Sequence, residues 1–309
     1  MRSSFARQRL TAWAFMTPML LGMIVFFVYP LVMTVYYSFT RFNMLSAPKW
    51  NNFANWKFLF TQDPNIGTAA LNTLWFVVIL VPVRIVGALF VSWVLARARR
   101  GSGIFRTIYY LPALIPPVAS TIAFVFVMNP DHGPVNGVLG LFGLSPGWFT
   151  DPNLSKPSLG FLGLWVLGDI MVIFLAALLD VSTDQYEAAE LDGAGAFARF
   201  WYVTIPNIRP VILFAAVTGV INAMQYFTQP AVAASTALGK GTVQQGATST
   251  MGWPANSTLT YGQLLYQEAF GSKLFGYASA MAVVMFVVTV IAMFFILRRF
   301  SDFSPEVAS

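Results

Sequence analysis

The chain has 309 residues, 57% of them hydrophobic and only 10% charged, with a mean hydropathy of +0.67; this is too apolar for a soluble domain of that length and marks a polytopic membrane protein. With no cysteine and a single histidine, disulfides, thiolate metal sites and histidine relays are excluded, and no metal site is expected. The net charge of +6 does not point to nucleic acid, because the basic residues stand in short groups beside apolar segments rather than along one basic face.

Six apolar stretches are long enough to cross a hydrocarbon core, which takes about 20 helical residues. They lie near 12–39, 70–96, 107–128, 159–180, 210–233 and 274–297. A bilayer leaves unpaired backbone groups without water, so these runs are predicted as helices and a β-barrel is excluded. The expected fold is an all-α bundle of six transmembrane helices. The first run contains Pro18 and Pro30 and lacks a small-residue cleavage site, so it is read as a retained helix rather than a signal peptide.

Orientation follows from the basic residues in alternate flanks. Arg2, Arg7, Arg9, Arg97, Arg99, Arg100, Arg106, Arg199, Arg209, Arg298 and Arg299 fall on one side, eleven in all; Arg41, Lys49, Lys57, Lys156, Lys240 and Lys273, six in all, fall on the other. The richer side has the shorter connections, which assigns both termini and the loop 181–209 to the cytoplasm.

That loop is a polar island. Ser182 with Gln185 three residues on has the form of a capping box just past the fourth span. A short helix is predicted from there through Glu187, Ala188 and Ala189 to Asp192-Gly193, where glycine permits a positive φ. A second short helix is predicted from Gly195 to Tyr202, stopping before Pro206. The small alanines allow close approach of another surface, and Glu187 is free to form a charge-assisted bond with an Arg or Lys opposite.

Glu187-Ala-Ala-Glu-Leu-Asp-Gly193, with Val203-Thr-Ile-Pro206 at ungapped spacing, resembles the EAA loop of permease subunits of bacterial ABC importers; Val203 and Ile205 depart from the Ile and Leu of that pattern. Three further segments are similar to carbohydrate-uptake permeases of the maltose, lactose and glycerol-3-phosphate type: Phe105-Arg-Thr-Ile-Tyr-Tyr-Leu-Pro112, the stretch Asn129 to Gly140, and Ser257-Thr258 with Tyr266 to Ala280, including Phe270 and Gly276-Tyr-Ala-Ser-Ala280. The resemblance implies a type I importer fold like that of the maltose permease, formed by one transmembrane domain over 1–309 in the bacterial inner membrane. It implies as partners a second homologous permease, two ATPase subunits docked on Glu187, Ala188, Ala189, Asp192, Gly193 and Pro206, an extracytoplasmic substrate-binding protein, and a sugar as cargo. The chain has no GxxxxGK[ST] phosphate loop, so it is expected to be no enzyme and to bind no cofactor, with ATP and Mg on the ATPase subunits. Thr228-Gln-Pro230 stands where these subunits often carry Thr-Gly-Gly-Pro, and the Ala, Ser, Thr, Gly and Gln-rich segment 231–258 is predicted as an outer loop.

Two ionisable residues fall near span centres, Arg84 in the second and Asp169 in the fourth. Such residues face a cavity or pair with each other, since a charge at bilayer centre costs roughly 2.5–3.5 kcal/mol on insertion scales. Asn222, Gln225 and Gln229 are expected on one face of the fifth span, next to Tyr226. Amides and a phenol suit sugar hydroxyls, and interhelical hydrogen bonding is the alternative. Substrate contacts are therefore expected at Asn222, Gln225, Tyr226, Gln229, Asp169 and Arg84. A glycerol phosphodiester, with Arg84 as anion partner, is a second cargo. A secondary transporter would favour an inverted repeat, which is not seen, and a membrane enzyme clustered acids or metal-ligand spacing in a cytoplasmic or interfacial loop, whereas the acids here collect in the EAA-like loop. His132 is expected in an outer turn, and Trp13, Tyr36, Tyr37, Tyr109 and Tyr110 as interfacial anchors.

Overall fold

The computed structural model describes residues 2–98, 101–239 and 250–301, with side chains from 11 to 299. Arg99, Arg100 and Lys240 of the charge count, and 240–249 of the outer segment, lie outside the described residues. In chain order the helices open with α1 (Arg2–Met23) and α2 (Tyr29–Ser38), joined by a π turn at Ile24–Val28. Strands β1 (Thr40–Arg41) and β2 (Lys49–Trp50) pair antiparallel, with Thr40 opposite Trp50 and Arg41 opposite Lys49. Then come α3 (Ala54–Thr61), α4 (Ile66–Trp75), α5 (Val81–Arg97), α6 (Ser102–Leu114), α7 (Pro117–Val127), α8 (Pro134–Gly140), α9 (Pro152–Trp165) and α10 (Gly168–Asp180). The chain continues through α11 (Thr183–Leu191), α12 (Ala196–Arg199), α13 (Ile205–Asn207), α14 (Arg209–Met224), α15 (Thr228–Ala237), α16 (Tyr261–Tyr266) and α17 (Phe275–Ser301).

Three helical runs are long and apolar enough to cross a membrane unbroken: Thr11–Ser38, Ile66–Arg97 and Phe275–Arg299. They answer the first, second and sixth expected spans. The others are bent pairs, α6 with α7 at 100°, α9 with α10 at 47°, and Ala196–Asn207 with α14 at 68°; by length and composition these bring the count to at most six, and in the last pair Ala196–Asn207 belongs to the loop 181–209 and α14 carries the span. The expected continuous helix over 107–128 is therefore corrected to two. Pro116 and Pro117 force Ile115 and Pro116 into extended backbone, with ψ of 130° and 136°, because a residue before proline avoids the α region.

Prolines elsewhere are absorbed differently. In the π turns at Ile24–Val28, Phe76–Leu80 and Phe200–Thr204, the last N–H before Pro30, Pro82 and Pro206 bonds the carbonyl five residues back. The widened turn accommodates the ring and the missing donor without ending the helix. This corrects the expected stop before Pro206, since the helix runs on to Asn207.

The fifth span departs most. Pro230, inside a continued helix, would clash with the carbonyl of Tyr226. The helix instead ends at Met224 and restarts at Thr228, and the freed Tyr226 carbonyl accepts the Thr260 hydroxyl at 2.7 Å. Residues 231–237, expected in a loop, are helical, and Ala231 to Ser235 are buried. Small side chains here mark close helix packing, with α15 against α7.

The chain divides into two compact units, one of 1–63 with 268–287 and one of 64–267 with 288–309. In the second unit, one apolar core gathers around Phe76, Leu80, Leu159 and Val220, and another around Met171, Phe174, Ile208 and Ala215. In the first, Phe15, Met19 and Phe26 stand exposed along the first span, a surface suited to lipid rather than water.

Candidate functional site

A cavity of about 390 Å³ opens in the second unit where two helix breaks meet. The α9–α10 break supplies Val166 and Asp169, and the α14–α15 break supplies Gln225 to Gln229. Gly168 makes the first break possible. A Cβ there would lie 2.2 Å from the carbonyl oxygen of Tyr109, so only glycine lets α10 start against α6. All six expected contact residues, Arg84, Asp169, Asn222, Gln225, Tyr226 and Gln229, line this one cavity.

They do not share one helix face. Asn222 is on α14, Gln225 is its C-cap and Gln229 lies in the first turn of α15, so the expected helical spacing is corrected to convergence across a break. Arg84 Nη2 donates to Asp169 Oδ1 at 3.2 Å and to the free Val166 carbonyl at 3.3 Å. The Arg84 side chain is 19% exposed and that of Asp169 55%. Asp169 also sits in the first turn of α10, where the helix dipole favours a carboxylate. Ion pair and cavity lining are thus one arrangement, and the pair offsets its own charge.

The amides of Asn222, Gln225 and Gln229 form no hydrogen bond among the described residues. They present donors and acceptors to the cavity. The Tyr226 ring packs on Phe76 with centroids 4.8 Å apart and planes tilted by 53°, which restrains a residue of the cavity wall. Ser120 and Thr228 also line the wall. The sequence reading missed them; Thr228 stood beside Gln229 as an adjacent polar signal, whereas Ser120 carried none.

The second candidate surface is the loop 181–209. Ser182 Oγ accepts from Asp184 N at 3.3 Å, capping α11. The reciprocal half of the expected capping box is absent, since Gln185 Oε1 accepts from Asn207 Nδ2 at 2.7 Å instead. The helix closes at Gly193, φ +81°, with Ala194 N bonding Ala189 O at 2.9 Å and Gly193 N bonding Glu190 O at 3.0 Å, a Schellman closure. Arg199 meets Glu190 at 2.5 Å and Tyr186 meets Thr204 at 2.9 Å, which braces the two helices. Glu187, Ala188, Asp192, Gly193 and Pro206 are exposed, and Ala189 is half-buried. Beside them Leu191, Tyr202 and Phe197 stand 90%, 81% and 78% exposed. Exposed apolar groups on a polar loop are unusual on a water-facing surface and make this loop a candidate contact surface.

No group of three or more His, Cys, Asp or Glu side chains placed to hold a metal occurs among the described residues. His132 is exposed in a turn, its N–H bonded to Asn129 Oδ1.

Residues 85–302 match the family described as the binding-protein-dependent transport system inner membrane component. The chain is 34% identical over 288 residues to the probable ABC transporter permease protein YesP of Bacillus subtilis, covering 92% of this chain and 88% of that one. It is 33% identical over 301 residues to the lactose transport system permease protein LacF of Rhizobium radiobacter, covering 95% of each. In fold it is similar to a chain of a bacterial ABC transporter involved in the import of the acidic polysaccharide alginate, with a TM-score of 0.80 and 19% identity over 99% of this chain and 100% of that one. A further structure of the alginate transporter, in complex with its alginate pentasaccharide-bound periplasmic protein, gives a TM-score of 0.77 at 19% identity over 95% of this chain and 94% of that one.

Proposed function

This chain belongs to the family of binding-protein-dependent inner membrane transport components, and on that premise we propose that it is one of two permease subunits of an ATP-driven importer for a sugar or oligosaccharide. The cargo is delivered by an extracytoplasmic binding protein, and a second homologous permease completes the translocation path. Two ATPase subunits bind ATP with Mg and dock on the loop 181–209, which lies in the cytoplasm with both termini.

One observation carries the sugar reading: Asn222, Gln225, Tyr226 and Gln229 converge on a cavity whose only two charges among the described residues, Arg84 and Asp169, pair with each other. Uncommitted amides match hydroxyls that both donate and accept, and an aromatic face covers the apolar side of a ring. A self-neutralised ion pair favours a neutral saccharide over a phosphodiester, which would need Arg84 free.

Work passes from ATP to cargo through the braced loop. ATPase closure moves α11 and the helix through Asn207, and Asn207 leads directly into α14, which carries Asn222. Alternating access follows if the closed ATPase state and the cargo each bind one arrangement of these helices better than the other. Leu191, Phe197 and Tyr202 supply the apolar contact, Glu187 and Asp192 the charges at its rim.

The test is uptake by proteoliposomes holding the chain with its partner permease and ATPases. Uptake of a labelled oligosaccharide that needs both ATP and the binding protein is the expected result. Thermal shifts of the cognate binding protein against sugars and glycerol phosphodiesters select the cargo, and stabilisation by the phosphodiesters alone would overturn the sugar reading.

A further inference from the structure

In the first unit, Arg41 and Lys49 stand directly opposite each other in the β1–β2 pair. Like charges at that register destabilise a ribbon, and this one has only two residues in each strand. The same two cations, with Lys273, line a cavity of about 420 Å³. No carboxylate lines it, and none of the three cations has an ion pair among the described residues.

The walls are held firmly. A Cβ on Gly276 would fall 2.0 Å from the Thr40 carbonyl oxygen, and Gly276 N donates to Phe42 O at 3.0 Å. Lys273 adopts a left-handed backbone, φ +57°. The nearby carboxylates do not line the cavity and are each bonded to a residue of its wall: Asp63 accepts the hydroxyl of Tyr277. Burial pushes the Glu268 carboxyl above its ordinary value, a hydrogen bond with Ser272 opposes the rise, and the charge of Asp63 adds to it. Three exposed cations around one cavity, with no carboxylate in its lining, give it a positive potential that favours an anion.

The place of the cavity indicates what carries that anion. It lies where the first span ends at Ser38 and the last begins at Phe275, the level of a membrane surface. Tyr36, Trp50 and Phe53 stand exposed around the same hairpin, and such rings settle among headgroups. We propose that this cavity holds the phosphate of an anionic phospholipid headgroup. The planar Arg41 guanidinium supplies paired donors, and Lys49 and Lys273 act as point charges.

The test uses the chain purified with its partner subunits from nanodiscs of phosphatidylcholine mixed with phosphatidylglycerol, with retained lipid read by native mass spectrometry. Wild type is expected to retain phosphatidylglycerol preferentially, and Arg41→Gln and Lys273→Asn each to reduce that preference roughly fivefold, the effect of one cation near a lipid surface. Asparagine tolerates the left-handed backbone, so Lys273→Asn decides the matter should Arg41→Gln assemble poorly. Unchanged preference in a folded Lys273→Asn complex overturns the proposal. Displacement of the lipid by millimolar inorganic phosphate overturns the headgroup source, and cross-linking of Lys273 to an acidic protein partner with no lipid retained overturns the ligand class.

Discussion

Arg84 holds Asp169 at 3.2 Å and the carbonyl of Val166 at 3.3 Å with the same Nη2, so one guanidinium both neutralises a charge and closes a gap in a helix ladder. The second task arises because α9 and α10 part at Val166. A side chain that sequence analysis assigns to a pair or to a cavity serves the backbone as well.

Removing Arg84 should therefore cost more than removing Asp169. Arg84→Ala strands a carboxylate and an unpaired carbonyl, whereas Asp169, half exposed, leaves Arg84 its second acceptor. Thermal midpoints of the assembled complex should fall in both, and the double variant should show a coupling of about 1 kcal/mol, since the pair is reached by water. Additive losses would mean that the contact contributes no coupling.

At the loop, Gly193→Val forces a β-branched residue into a left-handed position at a cost of roughly 1–2 kcal/mol, and Glu187→Lys reverses an exposed charge. Both variants should insert normally while transport and stimulated ATP hydrolysis collapse together. Full uptake in both would remove the loop's role in coupling.

For the cavity, Asn222→Ala and Gln225→Ala should each weaken cargo recognition by about 0.5–1.5 kcal/mol, the usual range for one hydrogen bond. Uptake titrated against sugar should show a raised apparent KM at equal expression. Unchanged titrations in the double variant would move the binding site to other residues or to the partner permease.

Gly168→Ala tests the packing that builds the cavity. Its Cβ would meet the Tyr109 backbone at 2.2 Å, whereas a Cβ on Gly137 of α8 meets nothing within 4 Å. Overpacking at Gly168 should destabilise by about 1–3 kcal/mol, and Gly137→Ala should be neutral. Melting of the two purified variants side by side gives the comparison, and equal midpoints would show that α6 and α10 can separate freely.

The loop 181–209 was largely legible because its signals are local. Ser182 caps, Gly193 takes a positive φ, and the apolar run before them ends at Val181; each depends on near neighbours in the chain. The apolar character of the six spans was legible for the same reason, since a residue's transfer energy is its own. The breaks were less so. Pro206 and Pro230 look alike in sequence, yet the first is absorbed by a π turn at Phe200–Thr204 and the second ends a helix, because a Thr260 hydroxyl thirty residues away is there to take the freed carbonyl of Tyr226. Composition and spacing alone determined that this chain crosses a membrane as helices and that a polar helix-turn-helix loop at 181–209 interrupts them. Only tertiary structure decided that Asn222, Gln225 and Gln229 meet Arg84 and Asp169 in one cavity, since that depends on which distant groups satisfy the backbone where helices part.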